Sequence, residues 1–368
     1  MASAADIAAS LAAAIGANDQ EVTVDTFLPS GFPPLDHASN SNWDQGAFPV
    51  GRMIEIAGPP SSGKTALATA GMAGAQSMGG IAGFMDHERS FSLKLAPRLG
   101  LDVTPGRFVF KTPKTFEESL QICVVAASHV RKNKLIKKDA PICWVFDSLA
   151  AMVPQSAYYE MKNGKAVGVK SLEDRNMNDN TALARATSNA FPAFSQHCEE
   201  LGICAIFLNQ MRTDLNVKFG DPRKTTGGNS PAFYFSQRLW LSAAQIKKGT
   251  EIIGMEVTGS YKKNKIARPF QSASWRFMFQ EDGTGKFDRQ RSLIEFLETN
   301  GFITKAKQAG FVMWDGKQIA KETLARQIET EGETGFKKLM ALLPANFEPP
   351  VVAEAEGFDE DAEMEIAA

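Results

Sequence analysis

Short, mostly apolar runs recur through the middle of this chain, over residues 53–57, 81–85, 142–146, 203–208 and 239–241. Between them lie stretches whose apolar positions recur at helical spacing, over 64–77, 115–130 and 180–200. A strand that is apolar at every position, rather than at alternate ones, is buried on both faces. Such strands separated by helices predict an α/β fold with a central, mostly parallel sheet between helices. Ligands of such sheets sit at the carboxyl ends of the strands.

The pattern changes at both ends of the chain. Ile7, Leu11 and Ile15 recur every four positions and stop at Gly16, which predicts a short helix with one apolar stripe. A helix that short buries little by itself, so it is expected to dock on another surface. Residues 27–50 are rich in Gly, Pro, Asn and Ser and are read as connecting loops. After the turn-rich "FQEDGTGKFDRQ", residues 292–343 predict a small α/β unit, with apolar helices "SLIEFLE" and "FKKLMALL" around "GFVMWDGKQI". The expected division is therefore an N-terminal oligomerisation segment (1–35), a core (36–284), a small C-terminal domain (285–346) and an acidic, disordered tail (347–368).

Composition narrows the function classes. Apolar residues make up 43% and charged residues 22% of 368, ordinary for a soluble protein, and no apolar run approaches a membrane span. The N-terminus has no basic region and carries Asp6 within its apolar run, unlike a secretory signal, so a cytoplasmic location without membrane contact is expected. Cys123, Cys143, Cys198 and Cys204 show no paired-ligand spacing and are read as reduced, mostly buried thiols. Net charge is −2, yet seven acids and no Lys or Arg occupy the last fifteen residues; removing those seven moves the balance to +5. A basic body carrying an acidic tail suits a nucleic-acid partner for which the tail competes, or a tail that only aids solubility.

The sharpest chemical signal is "GPPSSGKTALATA", which follows the apolar run "RMIEIA" and opens a helix-like stretch. Gly58, Pro59, Pro60, Ser61, Ser62, Gly63, Lys64 and Thr65 have the spacing of a phosphate-binding P-loop, in the strand-then-helix context such a loop requires. Backbone amides and the helix N-terminus would hold the phosphates of ATP, Lys64 would supply a cation, and Thr65 a hydroxyl for Mg²⁺. Asp147, closing "ICWVFD", is the expected acid near the metal. Hydrolysis also needs a base for the attacking water, and Glu88, just past the strand "IAGFMD", is the candidate. Without the P-loop, such an acid would read as a solvated loop residue.

Taken in order, "FPVGRMIEIAGPPSSGKT", "FMDHE", "VFDSLAA", "FLNQMR", "KFGDPRKTTGGNSPAFY" and "KKNKIARPF" resemble the RecA-type homologous-recombination recombinases, bacterial or phage-borne, over nearly the whole chain. The resemblance implies a RecA-like P-loop NTPase core with a short N-terminal helix and a small α/β C-terminal domain. It implies that Gln210 senses the γ-phosphate and reports to the DNA loop that follows. It implies that Lys263 and Lys265 reach a neighbouring subunit's ATP, completing the site in a helical filament. Two cations added in trans would stabilise charge on the transferred phosphoryl group.

Residues 211–229 lack apolar periodicity, carry Arg212, Lys218, Arg223 and Lys224 against two acids, and contain Gly227 and Gly228. They are similar to the family's second DNA-binding loop, with Phe219 as a base wedge and Arg212, Lys218, Gly227, Gly228 and Asn229 as DNA contacts. The other loop is expected within 158–180, with Met177 as a wedge and Arg185 on the next helix as a phosphate contact. Three features depart from the family. Leu95 stands where an aromatic ring stacks on adenine, with Phe91 a substitute only if the loop is rebuilt. About eleven extra residues surround "RKNKLIKKDA", expected as a solvent-exposed extension. Pro192 is expected to bend its helix or alter its end.

The expected function is an ATP-dependent recombinase that assembles on single-stranded DNA, pairs it with homologous double-stranded DNA and exchanges strands. Single-strand-binding and mediator proteins are further expected partners. The C-terminal domain would gather duplex, restrained by the tail. A hexameric DNA helicase motor, a P-loop small-molecule kinase and a non-hydrolysing DNA scaffold are the alternatives that the P-loop residues alone leave open.

Overall fold

Every residue of the strands Met53–Gly58, Ile81–Asp86 and Ile142–Asp147 is buried, because helices cover both sides of the sheet they build. The protein is described here by a computed structural model, covering residues 3–15, 23–163, 165–171, 173, 181–213 and 223–348. In chain order, β1 (Phe27–Leu28) and β2 (Phe48–Pro49) pair with each other, ahead of β3 (Met53–Gly58), β4 (Ile81–Asp86), β5 (Phe108–Lys111) and β6 (Ile142–Asp147). A separate hairpin, β7 (Tyr159–Lys162) and β8 (Lys165–Val169), precedes β9 (Ile203–Thr213) and β10 (Arg223–Thr225). Then come β11 (Gln237–Lys248), β12 (Glu251–Asn264), β13 (Ser272–Phe279) and β14 (Gly285–Phe287), and finally the hairpin β15 (Phe311–Trp314) and β16 (Lys317–Ala320).

The main sheet has the order β14-β13-β12-β11-β3-β9-β6-β4-β5, with β10 added to the end of β9. It is parallel from β11 to β5 and antiparallel from β11 to β14. The two-residue period of each strand sorts its side chains between two cores. Ile54, Ile56, Cys143, Val145, Cys204 and Ile206 join the core that holds helix Lys64–Ser77 residues Leu67 and Met72. Met53, Ile142, Trp144, Phe146, Ile203 and Phe207 join the other, with Leu120 of helix Phe116–Lys132 and Phe191 of helix Ala182–Leu201. All four cysteines are buried within these layers.

Helices Arg289–Thr299 and Lys321–Met340 pack around β15 and β16, and their Leu293, Leu297, Leu324 and Phe336 continue the first core. The chain then returns to the N-terminal side: Trp43 Nε1 donates to the Pro344 carbonyl at 2.8 Å. Phe347 lies among the rings of His37, Trp43, Phe296 and Phe302, so the first residue assigned to the tail is packed.

The structure amends several expectations. The run at 239–241 is the buried start of a twelve-residue strand, whose remainder alternates polar residues on an exposed ribbon with β12 and so hides from an apolar-run search. Residues 211–213 and 223–225 form an antiparallel ladder, so the loop that the sequence reads as unstructured has a β base. Part of the expected first loop is the β7–β8 hairpin. Pro192 lies inside a helix that continues unbroken from Ala182 to Leu201. The N-terminal helix spans Ala4–Ile15, and its Ile7 is 50% exposed in the single protomer. Arg131 ties down the extra segment, donating to the carbonyls of Lys137, Lys138, Ala140 and Leu201, while residues 132–135 and 137–139 are exposed.

Candidate nucleotide and nucleic-acid site

Strand register brings the predicted residues to one edge. Gly58 of β3 stands opposite Gln210 of β9, and Asp86 of β4 opposite Asp147 of β6, all at the carboxyl ends of parallel strands. The P-loop leaves β3 and turns into helix Lys64–Ser77, whose N-terminus supplies unpaired amides and a positive partial charge. Gly58 cannot carry a side chain: a Cβ there would lie 2.6 Å from Ser62 Oγ and 3.0 Å from the Leu241 carbonyl. Pro59, Pro60 and Ser61 are exposed, whereas Ser62 is fully buried and its Oγ has no hydrogen-bond partner among the described residues.

Lys64 Nζ donates to the Gly58 carbonyl at 2.9 Å and the Pro59 carbonyl at 2.7 Å, so the ammonium rests on the loop it belongs to. Burial pulls its pKa below the ordinary lysine value, and the carboxylates of Asp147 and Glu88 oppose that pull. Thr65 Oγ1 donates to Asp147 Oδ2 at 3.2 Å. Burial, reinforced by the charge of Glu88, pushes the Asp147 carboxyl up to about 7. A buried carboxylate at this cost beside a hydroxyl is the hard-oxygen pair that suits Mg²⁺, with phosphate and water oxygens completing its shell. The residues present therefore fit Mg²⁺ and a triphosphate.

Glu88 is exposed, and its Oε1 accepts from Gln210 Nε2 at 2.9 Å and from Ser148 Oγ. The Asp147 carbonyl accepts the amides of His87 (2.7 Å) and Glu88 (3.2 Å), which fixes the backbone that carries this carboxylate. Asp86, in contrast, is spent on the amides of Ser90 and Phe91 and closes a turn. Burial lowers the His87 pKa to about 4, and its Nε2 lies 2.6 Å from Ser119 Oγ.

Past Gln210, a polar network that single-residue reading did not find anchors the loop's β base. Asn209 Nδ2 donates to Glu55 Oε1 and to the Thr226 carbonyl, each at 2.8 Å, and Asn209 Oδ1 accepts the Gln210 amide at 2.9 Å. Arg238 bridges Glu55 (2.7 Å) and Thr225 Oγ1 (2.9 Å). Glu55 is fully buried, so losing Arg238 would cost about 3–5 kcal/mol by stranding a charge. The only sequence signal was a lone acid within the apolar run "MIEIA".

The expected DNA residues occupy mixed positions. Arg212 and Arg185 are exposed, and Arg185 Nη1 donates to Thr181 Oγ1 at 2.9 Å. Gly227 is buried at φ +112 and Gly228 exposed at φ +76, with Asn229 exposed beside them. Thr187 Oγ1 holds the Gly227 carbonyl at 3.0 Å. Lys218, Phe219 and Met177 lie outside the described residues.

Lys263 and Lys265, on and just after β12, converge on the end of the short helix Ser230–Tyr234. Lys263 Nζ donates to the carbonyls of Ala232 and Phe233, and Lys265 Nζ to that of Phe233 at 3.1 Å. Within one protomer they are thus bound to the loop's exit. Phe91 stacks on Phe84 at 3.9 Å and meets Phe110 at 6.0 Å, so it belongs to an aromatic cluster and is not a free substitute for an adenine-stacking ring. Leu95 is 43% exposed.

Known proteins resemble this chain over most of its length. Residues 10–284 match the family model of the RecA N-terminal domain. The chain is similar to the Protein RecA of Frankia alni, 32% identical over 325 residues, covering 86% of this chain and 85% of that one. Protein RecA of Mycolicibacterium gilvum is 33% identical over 295 residues (80% and 75%), and that of Bifidobacterium breve 30% identical over 352 residues (95% and 81%). No helix among the described residues is long and apolar enough to cross a membrane.

Proposed function

This chain belongs to the RecA family of recombinases, and from that premise we propose that it assembles as a helical filament on single-stranded DNA, pairs that strand with homologous duplex and exchanges strands at the expense of ATP. Of the functions that the P-loop residues alone leave open, the recombinase is the one that family membership supports. The observation that carries the reading is the hydrogen bond between Gln210 and Glu88, at the edge where Gly58 faces Gln210. It joins phosphate loop, base and DNA hairpin in one set of contacts.

In this reading the P-loop amides and Lys64 hold the β- and γ-phosphates, and Thr65 and Asp147 hold Mg²⁺. Bound there, the metal neutralises charge on the phosphate oxygens. Glu88 takes a proton from the water whose oxygen bonds to the γ-phosphorus, as the bond to the bridging oxygen breaks and ADP leaves. Gln210 turns its amide from Glu88 to the γ-phosphate, which shifts β9 and the hairpin beyond it. Lys263 and Lys265 leave the carbonyls of Ala232 and Phe233 for a neighbour's phosphates, so the site is complete between two protomers.

Arg185, Arg212, Lys218, Gly227, Gly228 and Asn229 contact the DNA backbone and Phe219 wedges between bases, leaving sequence to be read by base pairing. Residues 1–35 join protomers, 285–346 gather duplex, and the acidic tail competes for that surface. A strand-exchange assay tests the reading with wild type beside Lys64→Ala and Phe219→Ala. The first variant should lose nucleotide-dependent activity, and the second should bind ATP but fail in strand exchange. Full strand exchange by Lys64→Ala would overturn it.

A further inference from the structure

The dipeptide Asp147–Ser148 faces the candidate site with two side chains, and only the first has a role so far. Asp147 Oδ2 meets Thr65 on the metal side. Ser148, fully buried, turns its hydroxyl to Glu88 Oε1 on the other. The Asp147 carbonyl also accepts the Glu88 amide at 3.2 Å, so one short segment holds both the backbone and the carboxylate of Glu88. Gln210 donates to the same Oε1, while Oε2 accepts no hydrogen bond from any described residue.

We propose that Ser148 is a positioning residue for ATP hydrolysis: it pins Oε1 of Glu88 so that Oε2 faces the attacking water. The inference rests on Glu88 being the base. Gln210 cannot do this throughout, because an amide that turns to the γ-phosphate leaves the carboxylate, whereas Ser148 has no other polar side-chain partner among the described residues and stays. An exposed glutamate without that hold samples several rotamers, and misplacing a catalytic group by about 1 Å can cost roughly a hundredfold. The same segment thereby couples metal side and water side: a shift of β6 that moves Asp147 also moves Glu88.

The test is steady-state ATPase on saturating single-stranded DNA for Ser148→Ala, Ser148→Thr and Ser148→Cys, with nucleotide KM measured alongside. Ser148→Ala should lower kcat by roughly tenfold or more with KM unchanged, and Ser148→Thr, which keeps a hydroxyl, should restore most of it. In a Glu88→Asp background, whose shorter stem takes the carboxylate off Ser148, adding Ser148→Ala should make no further difference. An unchanged kcat in Ser148→Ala, or an equal loss in the Glu88→Asp background, would overturn the proposal. If Ser148→Ala fails to fold, Ser148→Cys, a weaker donor, carries the same expectation of lowered kcat at constant KM. Glu88→Gln keeps the two readings apart. Full activity there sinks Glu88 as base, whereas a dead Glu88→Gln beside an unaffected Ser148→Ala sinks only the role of Ser148.

Discussion

Gln210 and Glu88, 122 residues apart in sequence, share a hydrogen bond of 2.9 Å across the carboxyl edge of the sheet. In the proposed mechanism Gln210 holds the base and opens the DNA loop, and so transmits in both directions. Gln210→Ala should therefore bind nucleotide as the wild type does while losing most of its stimulation by single-stranded DNA. ATPase rates with and without oligonucleotide decide this, and an undiminished stimulation ratio would contradict it.

Gly227, just after β10, packs beside Leu149, two residues past Asp147. A Cβ at Gly227 would sit 2.9 Å from Pro231 Cγ and 3.0 Å from Leu149 Cδ2, at a backbone angle of +112° that side chains rarely adopt. Gly227→Ala should cost about 1–3 kcal/mol locally. It should weaken single-stranded DNA binding and leave nucleotide affinity intact, as measured by parallel DNA and nucleotide titrations. Equal loss of both affinities would point to general unfolding instead.

The parallel half of the fold was legible because its strands are buried on both faces and so print as runs such as "ICWVF". The antiparallel half was not, since most of β11 and β12 is an amphipathic ribbon whose pairing depends on distant partners. Likewise the P-loop, Asp147 and Glu88 are local words in the sequence. Ser148, Asn209, Glu55 and Arg238 act through partners between 60 and 183 residues away, a relation that only the fold creates.

Leu95 stands where the resemblance places an adenine-stacking ring, and it is 43% exposed, so a larger side chain has room. Stacking of an aromatic side chain on a base contributes about 1–3 kcal/mol. Leu95→Tyr should accordingly bind ATP about tenfold more tightly, with little change in thermal stability. A fluorescent-nucleotide titration that returns equal affinities would remove Leu95 from the base site.

Asp36 gives a stability prediction remote from catalysis. Burial pushes its carboxyl up to about 7, although the Ser30 hydroxyl and amide pull it back. The native chain thus keeps a proton that the unfolded chain releases near pH 4, so this group's contribution is present below about pH 4 and lost as pH rises through about 7. Asp36→Asn still offers an acceptor to the Ser30 amide and escapes that loss. Its Tm relative to wild type should rise from about pH 5 to about pH 8. A constant difference would mean that the carboxyl titrates alike in both states.

ATP turnover as a function of protein concentration, with and without single-stranded DNA, tests most directly whether adjoining protomers complete each nucleotide site. Wild-type turnover should climb with concentration and with DNA. The Lys263→Ala/Lys265→Ala double variant should collapse to a DNA-independent residue while still binding nucleotide through its P-loop. Isolated protomers that hydrolyse ATP at full rate, indifferent to oligonucleotide and to the loss of both lysines, would contradict it.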